Sequence, residues 1–195
     1  MDIYYSPNKD TIFSNGKFIS KKNTFPEGAF SNAFRSCINL TSVSFPELTS
    51  AGKSAFYYAF YYCDNLTSVF FPKLTSVEGS AFNNAFRSCI NLTSASFPKL
   101  TSVGDSAFFY AFYHCDNLTS VSFPELTSVG SSTFNSAFNY CTNLTSVSFP
   151  KLTSVNSNAF YTAGHSNLKI HVPSSLSSAG LDIGGSDFGT IVYDL

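Results

Sequence analysis

The sequence predicts a single α/β solenoid, a right-handed coil with a parallel β-sheet on one face and short helices on the other. Cysteine recurs at a constant interval of 26 residues, at Cys37, Cys63, Cys89, Cys115 and Cys141. A fixed period in the twenties is typical of stacked coils. Each repeat first alternates apolar with polar residues and then spaces its apolar residues as a helix does. Twenty-two Phe accompany one Met and no Trp, which indicates that one unit has been copied along the chain.

The first half of each repeat predicts one strand of the sheet. Val43 and Phe45 alternate with Ser42 and Ser44, so the two apolar side chains point to the same side. Pro46 ends the strand because it has no amide hydrogen to donate to a neighbouring strand. We therefore expect apolar columns that run from coil to coil.

The second half of each repeat predicts a short helix. Ala-Phe pairs at residues 55–56 and 59–60 are followed by Cys63, and this spacing places them all on one helical face. Ser54 precedes the segment and is suited to accept from the first free amides as an N-cap. The same position holds Ser80, Ser106 and Ser132 in the next repeats. No coil can bury its apolar face alone, so stability depends on neighbouring coils.

The order of residues within the repeat resembles that of the BspA-like, or Treponema-type, leucine-rich repeats. The matching residues in one coil are Leu118, Val121, Phe123, Pro124, Val129, Gly130, Phe134 and Cys141. The resemblance extends over about residues 25–173. It implies a leucine-rich-repeat coil and a role in adhesion or attachment, often at a cell surface. A doubled Ala-Phe segment sets this chain apart, as does one residue fewer after Pro. The doubled segment predicts a longer convex helix than usual.

The two ends are expected to cap the solenoid, since open coils otherwise expose strand edges and apolar faces. The expected parts are an N-terminal hairpin cap over residues 1–24, a solenoid of 26-residue repeats over residues 25–173 and a C-terminal cap over residues 174–195. Asn15 and Gly16, between apolar residues, are a strong signal for a two-residue hairpin. The last part is rich in Gly and Ser, and we expect it to be irregular with one strand near Thr190 to Tyr193.

Composition and charge argue against several classes of function. The formal net charge is -1, from 11 basic and 12 acidic residues scattered along the chain, so we expect no nucleic-acid partner. No apolar run approaches the roughly 20 residues that span a bilayer, and we expect no membrane insertion. Met1 to Asp10 lacks the charged-then-apolar order of a secretory signal, which indicates an unexported chain. The family resemblance implies the cell surface or secretion instead.

The cysteines and histidines do not form a recognisable catalytic or metal site. Each Cys lies on the apolar face, where it behaves as a small hydrophobic residue, and we expect buried reduced thiols. The chain has no C-x-x-C pattern, and His114, His165 and His171 have no Asp or Ser partner that recurs with the repeat at an interpretable spacing. Asp182 and Asp187 lack the spacing of a calcium loop. We therefore expect no enzymatic activity, no metal and no cofactor.

A repeated column of Asn has two interpretations. Each member opens an Asn-Leu-Thr triplet, which formally matches a glycosylation acceptor. The position also suits an inward Asn whose side chain satisfies backbone groups at the turn into the strand, and we favour this structural ladder. The column consists of Asn39, Asn65, Asn91, Asn117 and Asn143.

Aromatic and Arg side chains occupy positions that the fold does not dictate. Two residues before each of the first four Cys the sequence alternates between Arg and Tyr, and before the fifth it has Asn139. An Arg over an exposed Tyr ring contributes about 0.5–1 kcal/mol, so stacking within the chain is one interpretation. The other is a recognition surface, since Tyr and Arg are enriched in interfaces. The predicted Tyr/Arg strip, on the convex side, consists of Arg35, Tyr57, Tyr58, Tyr61, Tyr62, Arg87, Phe109, Tyr110, Tyr113 and His114.

A second, polar surface is expected on the strand face, where Thr and Ser recur in columns that begin at Thr41 and Thr49. Ladders of this kind order water in ice-binding solenoids, but every solvated sheet face needs the same residues. We favour the second interpretation.

The leading functional hypothesis is a non-catalytic module that binds a protein or a cell-surface ligand. It uses the Tyr/Arg strip, the polar sheet face, or both. The alternative is a structural subunit whose near-identical coils pack into a homo-oligomer, a filament or a virion-like assembly. Particle mass separates the two, because polymer in dilute solution favours assembly.

Overall fold

Two parallel β-ladders run along the molecule, because each repeat contributes two short strands. The computed structural model describes residues 11–156 and 158–195. Sheet A has nine strands, β1 (Thr11–Ser14), β2 (Lys17–Ser20), β4 (Ser42–Ser44), β6 (Ser68–Phe70), β8 (Ser94–Ser96), β10 (Ser120–Ser122), β12 (Ser146–Ser148), β14 (Lys169–Val172) and β15 (Thr190–Tyr193). Sheet B has six, β3 (Thr24–Phe25), β5 (Ser50–Ala51), β7 (Ser76–Val77), β9 (Ser102–Val103), β11 (Ser128–Val129) and β13 (Ser154–Val155). The chain is thus a parallel β-solenoid of about six turns.

In the repeat strands of sheet A, each residue pairs with the residue at the same position of the next repeat. Val43 pairs with Val69, and Val69 with Ala95, so equivalent residues lie beside one another. These side chains are 2–3% exposed, whereas the flanking Ser side chains reach the surface. The predicted parallel sheet and its apolar column are confirmed. Sheet B was not predicted, because a two-residue strand such as Ser50–Ala51 is too short to show alternation.

The predicted helices on the other face are wrong. Within the described residues the only helices are two 3₁₀ segments near the C-terminus, at Ser174–Ala179 and Ser186–Phe188. The Ala-Phe segments instead turn at every fourth residue, where φ is positive: +54° at Ser54, +53° at Tyr58 and +58° at Tyr62. A left-handed residue at this interval stops an α-helix. The predicted long convex helix is therefore absent, and Ser54 is itself a left-handed turn residue rather than an N-cap. The same correction applies to Ser80, Ser106 and Ser132.

Hydrogen bonds between coils explain why these segments are not helical. The Phe56 amide donates across to the Ala81 carbonyl of the next coil at 2.8 Å, whereas the Ala59 amide donates locally to the Phe56 carbonyl at 3.0 Å. This alternation between local and inter-coil bonds satisfies the buried backbone without a helix. It also requires neighbouring coils to lie one strand spacing apart on this face, about 4.8 Å, as they do in the sheets.

The core is built from stacked Phe columns. Phe71 lies 5.3 Å from Phe97 with an 8° angle between the rings, and Phe56 lies 4.9 Å from Phe82 at 2°. The strand column and the turn column meet edge to face, as between Phe71 and Phe82 at 5.1 Å and 73°. Both geometries are favourable for aromatic pairs. One continuous core therefore extends through the coils, with Phe side chains from both faces.

The two ends close the ladders differently. Strands β1 and β2 form an antiparallel hairpin around Asn15 and Gly16, whose φ values of 49° and 73° suit a two-residue turn. The first ten residues of the predicted N-terminal cap lie outside the described residues. At the other end β15 pairs in parallel with β14, which confirms the strand predicted near Thr190 to Tyr193. The domain boundaries after residues 24 and 173 stay a prediction. No helix in the described part of the chain is long and apolar enough to cross a membrane.

Candidate binding surface

The Tyr/Arg strip lies on the turn face, which is the side of the molecule formed by the Ala-Phe segments. The same four-residue turns supply the buried Phe of the core and the outward side chains of the strip. In the second coil Ala59 and Phe60 are fully buried, which directs Tyr61 and Tyr62 outward. The left-handed conformation of Tyr62 sets this change of direction. All ten predicted strip residues lie on this face, either exposed or half-buried. Whether they bind a ligand stays a prediction.

The strip divides into two aromatic clusters. The ring centres of Tyr57 and Tyr58 are 4.6 Å apart, and those of Tyr61 and Tyr62 are 4.2 Å apart. Two coils further along, the second cluster contains Phe109, Tyr110, Tyr113 and His114, with Phe109 and Tyr110 4.6 Å apart. The coil between the clusters carries Asn83, Asn84 and Ser88 at the corresponding positions, which are smaller. Coils with large aromatic side chains and coils with smaller polar ones therefore alternate along this face.

Arg87 bridges the two clusters. Its guanidinium carbon lies 5.7 Å from the ring centre of Tyr61 and 4.7 Å from that of Tyr113. Its Nη1 donates a hydrogen bond to Asn84 Oδ1 at 3.1 Å. Arg35 makes the corresponding contact on the other side of Tyr61 at 4.9 Å. Arg35, Tyr61, Arg87 and Tyr113 thus form one stacked column, so stacking within the chain accounts for part of the strip.

The hydroxyl groups of Tyr57 and Tyr113 remain protonated well above neutral pH. Burial is the main cause that raises the pKa of Tyr57 and of Tyr113. Both groups therefore act as neutral hydrogen-bond partners for a ligand. The imidazole of His114 is oriented by Asp116, whose Oδ1 lies 2.9 Å from Nδ1.

Tyr140 belongs to this surface although the predicted strip omits it. Its side chain is 52% exposed and stacks on His114 at 4.8 Å with an 8° angle between the rings. Ile38 and Ile90, one residue after their Cys, are also exposed. The signal for the two Ile residues was present in the sequence, since the position after Cys alternates between Ile and Asp in the first four repeats, and Tyr140 shares the position before Cys with Tyr62 and His114.

Three clefts open on or beside the strip. One of about 290 Å³ is lined by Tyr62, Asp64, Ser88, Ile90 and His114. A second of about 380 Å³ is lined by Asn32, Arg35, Tyr57, Tyr58 and Tyr61. A third of about 390 Å³ lies where the last full coil meets the C-terminal segment, and its lining includes Asn139, Tyr140, His165 and Asp187. There the His165 Nε2 lies 3.0 Å from the Leu144 carbonyl.

The cysteines are a structural column, as predicted. Cys63, Cys89, Cys115 and Cys141 are fully buried and reduced, and Cys37 is half-buried and reduced. Each buried thiol donates to the carbonyl of a Phe in the preceding coil, as from Cys89 to Phe60 at 3.0 Å. Burial raises the pKa of Cys63 to about 12 and the pKa of Cys89 well above the ordinary thiol value. The thiols are therefore poor nucleophiles.

The predicted inward Asn ladder is wrong in its direction. Asn65 is exposed and Asn91 is half-buried, because the short turn between the buried Cys and Leu leaves the side chain at the surface. Part of the structural role remains, since Asn65 Nδ2 donates to the Ile38 carbonyl at 2.7 Å and Asn91 Nδ2 to the Asp64 carbonyl at 2.8 Å.

The strand face carries ladders of Thr hydroxyl groups. Thr67 Oγ1 donates to the Thr41 carbonyl at 3.1 Å, and Thr93 Oγ1 to the Thr67 carbonyl at 3.0 Å. The second column repeats the arrangement, as from Thr75 to Thr49 at 3.0 Å. The hydroxyl groups thus reinforce the backbone contacts between coils.

The stacked coils, the buried Leu and Phe columns and the parallel strands define a leucine-rich-repeat protein. Residues 10–109 and 109–182 match the BspA type leucine rich repeat region in six copies. The chain belongs to this family, which confirms the resemblance seen in the repeat.

Several solved structures are similar to this chain. The T. pallidum leucine rich repeat protein (TpLRR) is 18% identical, with 98% of this chain and 100% of that chain covered and a TM-score of 0.45. The pneumococcal vaccine antigen PcpA is 16% identical, with 98% and 49% covered and a TM-score of 0.53. A leucine rich cell surface protein from Faecalibacterium prausnitzii is 15% identical, with 97% and 94% covered and a TM-score of 0.27. This chain spans about half the length of the pneumococcal antigen chain, and that likeness shows the fold alone. No curated protein sequence matches this chain.

Proposed function

We propose that this chain is a non-catalytic module that binds a protein or a cell-surface ligand through the Tyr/Arg strip, in the manner of an adhesion domain. The observation that carries the proposal is the pair of aromatic clusters held in place by Arg87, which lies 5.7 Å from Tyr61 and 4.7 Å from Tyr113. Rings held by their neighbours lose little conformational entropy on binding, and Tyr and Arg dominate binding hot spots.

The absence of catalysis is part of the proposal. His114 and His171 each place Nδ1 2.9 Å from a nearby carboxylate, Asp116 and Asp194 respectively. Within the described residues neither imidazole lies within hydrogen-bond distance of a Ser or Cys nucleophile. Nucleophilic catalysis needs that contact.

Binding to an array of immobilised extracellular proteins tests the proposal. The strip variant carries Tyr57→Ser, Tyr62→Ser and His114→Ser, which remove outward rings but leave the Arg87 stack intact. The matched control carries Ser120→Arg and Ser146→Arg, both on the exposed strand face. We expect the strip variant to lose at least about tenfold in affinity for a bound partner, as hot-spot truncations do. We expect the strand-face control to retain binding. Loss in the control alone would assign binding to the polar sheet face instead.

A second candidate function, self-assembly, is favoured by the ends of sheet A. Strands β1 and β15 are the terminal strands of the sheet, and each pairs on one side within the described residues. An unpaired edge can accept a strand from another copy. Light scattering over a concentration series measures the particle mass. Polymer that Val192→Lys abolishes would support assembly through β15, because a charged side chain on an edge strand disfavours pairing with another copy, whereas a constant monomer mass would exclude it.

A further inference from the structure

The position before each Cys forms a second column on the turn face, and this column has a gap. Its members are Ser36, Tyr62, Ser88, His114 and Tyr140. Where two neighbouring coils both carry a ring, the rings stack, as His114 and Tyr140 do at 4.8 Å. Between Tyr62 and His114 the position is filled only by Ser88. One rung of the aromatic ladder is therefore missing.

The gap is an open cleft rather than a collapsed one. It encloses about 290 Å³ between Tyr62 and His114, with Ser88 and Ile90 also lining it. Ser88 is 9% exposed, and Tyr62 is 46% exposed. Two coil spacings separate the ring-bearing coils by roughly 9.6 Å, so a flat group midway lies about 4.8 Å from each, within the ~6 Å reach of a cation–π contact. The cleft is smaller than typical small-molecule pockets and matches a single side chain.

The neighbouring column shows which chemical group fills such a rung. There Arg87 occupies the coil between Tyr61 and Tyr113, and its guanidinium contacts both rings. Those two residues are the immediate neighbours of Tyr62 and His114. The same two coils therefore bracket a guanidinium in one column and an empty space in the next.

The charge of the cleft favours a cation. Asp64 lines it, and its carboxylate forms no salt bridge within residues 15–156 and 158–195. Asp116 lies close by and accepts from His114 Nδ1 at 2.9 Å. Arg87 is the neighbouring cation, but it lies over Tyr61 and Tyr113 and does not line the cleft.

We propose that the gap at Ser88 binds the guanidinium of an arginine side chain from a protein partner. The guanidinium stacks between Tyr62 and His114 and pairs with the Asp64 carboxylate, while its aliphatic stem contacts Ile90. Arginine fits this site better than lysine, because its planar and weakly hydrated group stacks on rings as well as pairing with carboxylates. The inference rests on the proposed function and assigns its strip one specific contact.

A peptide titration tests the inference directly. The probes are acetyl-Gly-Arg-Gly-amide and its Lys and Phe counterparts, and the readout is the NMR shift of the Ser88 amide and the His114 ring. We expect the Arg peptide to bind about twofold to fivefold more tightly than the Lys peptide, from one added stacking contact. Equal affinity of the Lys peptide would overturn the proposal, and so would tighter binding of the Phe peptide.

Two variants locate the binding site. Ser88→Tyr fills the missing rung, and the same left-handed position already holds Tyr62 and Tyr140, so the backbone accommodates the ring. Ser36→Tyr is the matched control, since it adds the same ring at the same position of the first repeat, outside the cleft. We expect Ser88→Tyr to abolish Arg-peptide binding and Ser36→Tyr to leave it unchanged. Asp64→Asn should weaken it roughly threefold to tenfold, as loss of a charged pair does.

Unchanged binding in Ser88→Tyr, with an amide spectrum that is otherwise native, would show that the gap is not the site. This failure is distinguishable from failure of the proposed function. A protein partner that still depends on the strip, with no Arg-peptide binding at Ser88, would overturn the inference and leave the proposed function standing.

Discussion

The ring of Phe149 stacks on the ring of Phe123, the residue at the same position of the preceding repeat, with ring centres 5.5 Å apart and an angle of 13° between the ring planes. Both side chains are fully buried. The same relationship recurs along the strand column, so each interior coil is packed on two neighbours. The stability of the solenoid is then mainly a sum of contacts between adjacent coils.

Adjacent Phe residues in one strand segment test the core. Phe71 is fully buried, whereas Phe70 is 47% exposed. We expect Phe71→Ala to lower the free energy of unfolding by about 3–5 kcal/mol, because it removes contacts and leaves a cavity. Phe70→Ala should change it by less than about 0.5 kcal/mol, as at other surface positions. Urea unfolding of both variants measures the difference, and equal losses would contradict the assigned register.

A left-handed turn and a helix predict opposite effects on stability for substitutions at Ser106. Its φ of 55° is left-handed, so Ser106→Gly should leave stability unchanged or raise it by up to about 1 kcal/mol. Ser106→Val should lower stability by roughly 1–2 kcal/mol, because a β-branched side chain is strained there. In a helix Gly would be the damaging substitution, at about 1 kcal/mol. Thermal unfolding of the two variants ranks them, and a more stable Val variant would contradict the turn structure.

The strands were predictable and the turns were not, for a physical reason. Val121 and Phe123 alternate with Ser, and an interval of two is specific to strands. The Ala-Phe pairs recur every four residues, an interval that fits one face of a short helix as well as a series of four-residue turns. Only the inter-coil bonds, such as Phe56 to Ala81, decide between them, and these involve residues 25 apart in sequence.

The strip residues and the stacking of Arg on Tyr could be predicted from the sequence, but the particular pairs that stack could not. Tyr61 and Arg87 stand out because they vary at positions the repeat does not dictate. Their stacking follows from the close spacing of coils on the turn face, which a helical layer would not allow. The gap at Ser88 was missed for the same reason, since a small residue between two rings leaves a cleft only when the side chains of successive coils stack.

We expect Arg87 to stabilise the fold through its planar contacts and not only through its positive charge. It contacts Tyr61 and Tyr113 and donates to Asn84, so Arg87→Lys loses the planar contacts while it keeps the charge. We expect a loss of about 0.5–1 kcal/mol in the free energy of unfolding. Lys99→Arg, on a different column, is the matched reverse exchange and should be neutral. Identical stability of wild type and Arg87→Lys would show that the stack contributes nothing.

The buried thiols predict a loss of stability at high pH. Burial raises the folded pKa of Cys63 to about 12 from an ordinary value of 9.0. The unfolded chain therefore loses this proton first, so the contribution is fully present below about pH 9 and falls as the pH rises towards 12. The expected slope is up to about 1.4 kcal/mol per pH unit for each such thiol. Tyr57 and Tyr113 act in the same direction, since their pKa values are also raised.

Cys63→Ala isolates the thiol, because it leaves both Tyr residues in place. Urea unfolding between pH 8 and 12 should show a shallower decline in Cys63→Ala than in wild type. Parallel curves for the two proteins would contradict the assignment of the decline to Cys63.

The spacing of coils on the turn face is the central claim, and spin-label distances measure it. One label pair at Ser36 and Tyr140 spans four coils on the turn face, and a second pair at Ser44 and Ser148 spans the same four coils on sheet A. Both are introduced in a Cys37→Ala background, since the other thiols are buried. We predict equal distances of about 19 Å for the two pairs, four strand spacings. A turn-face distance of roughly 32–40 Å, the spacing of packed helices, would contradict the account.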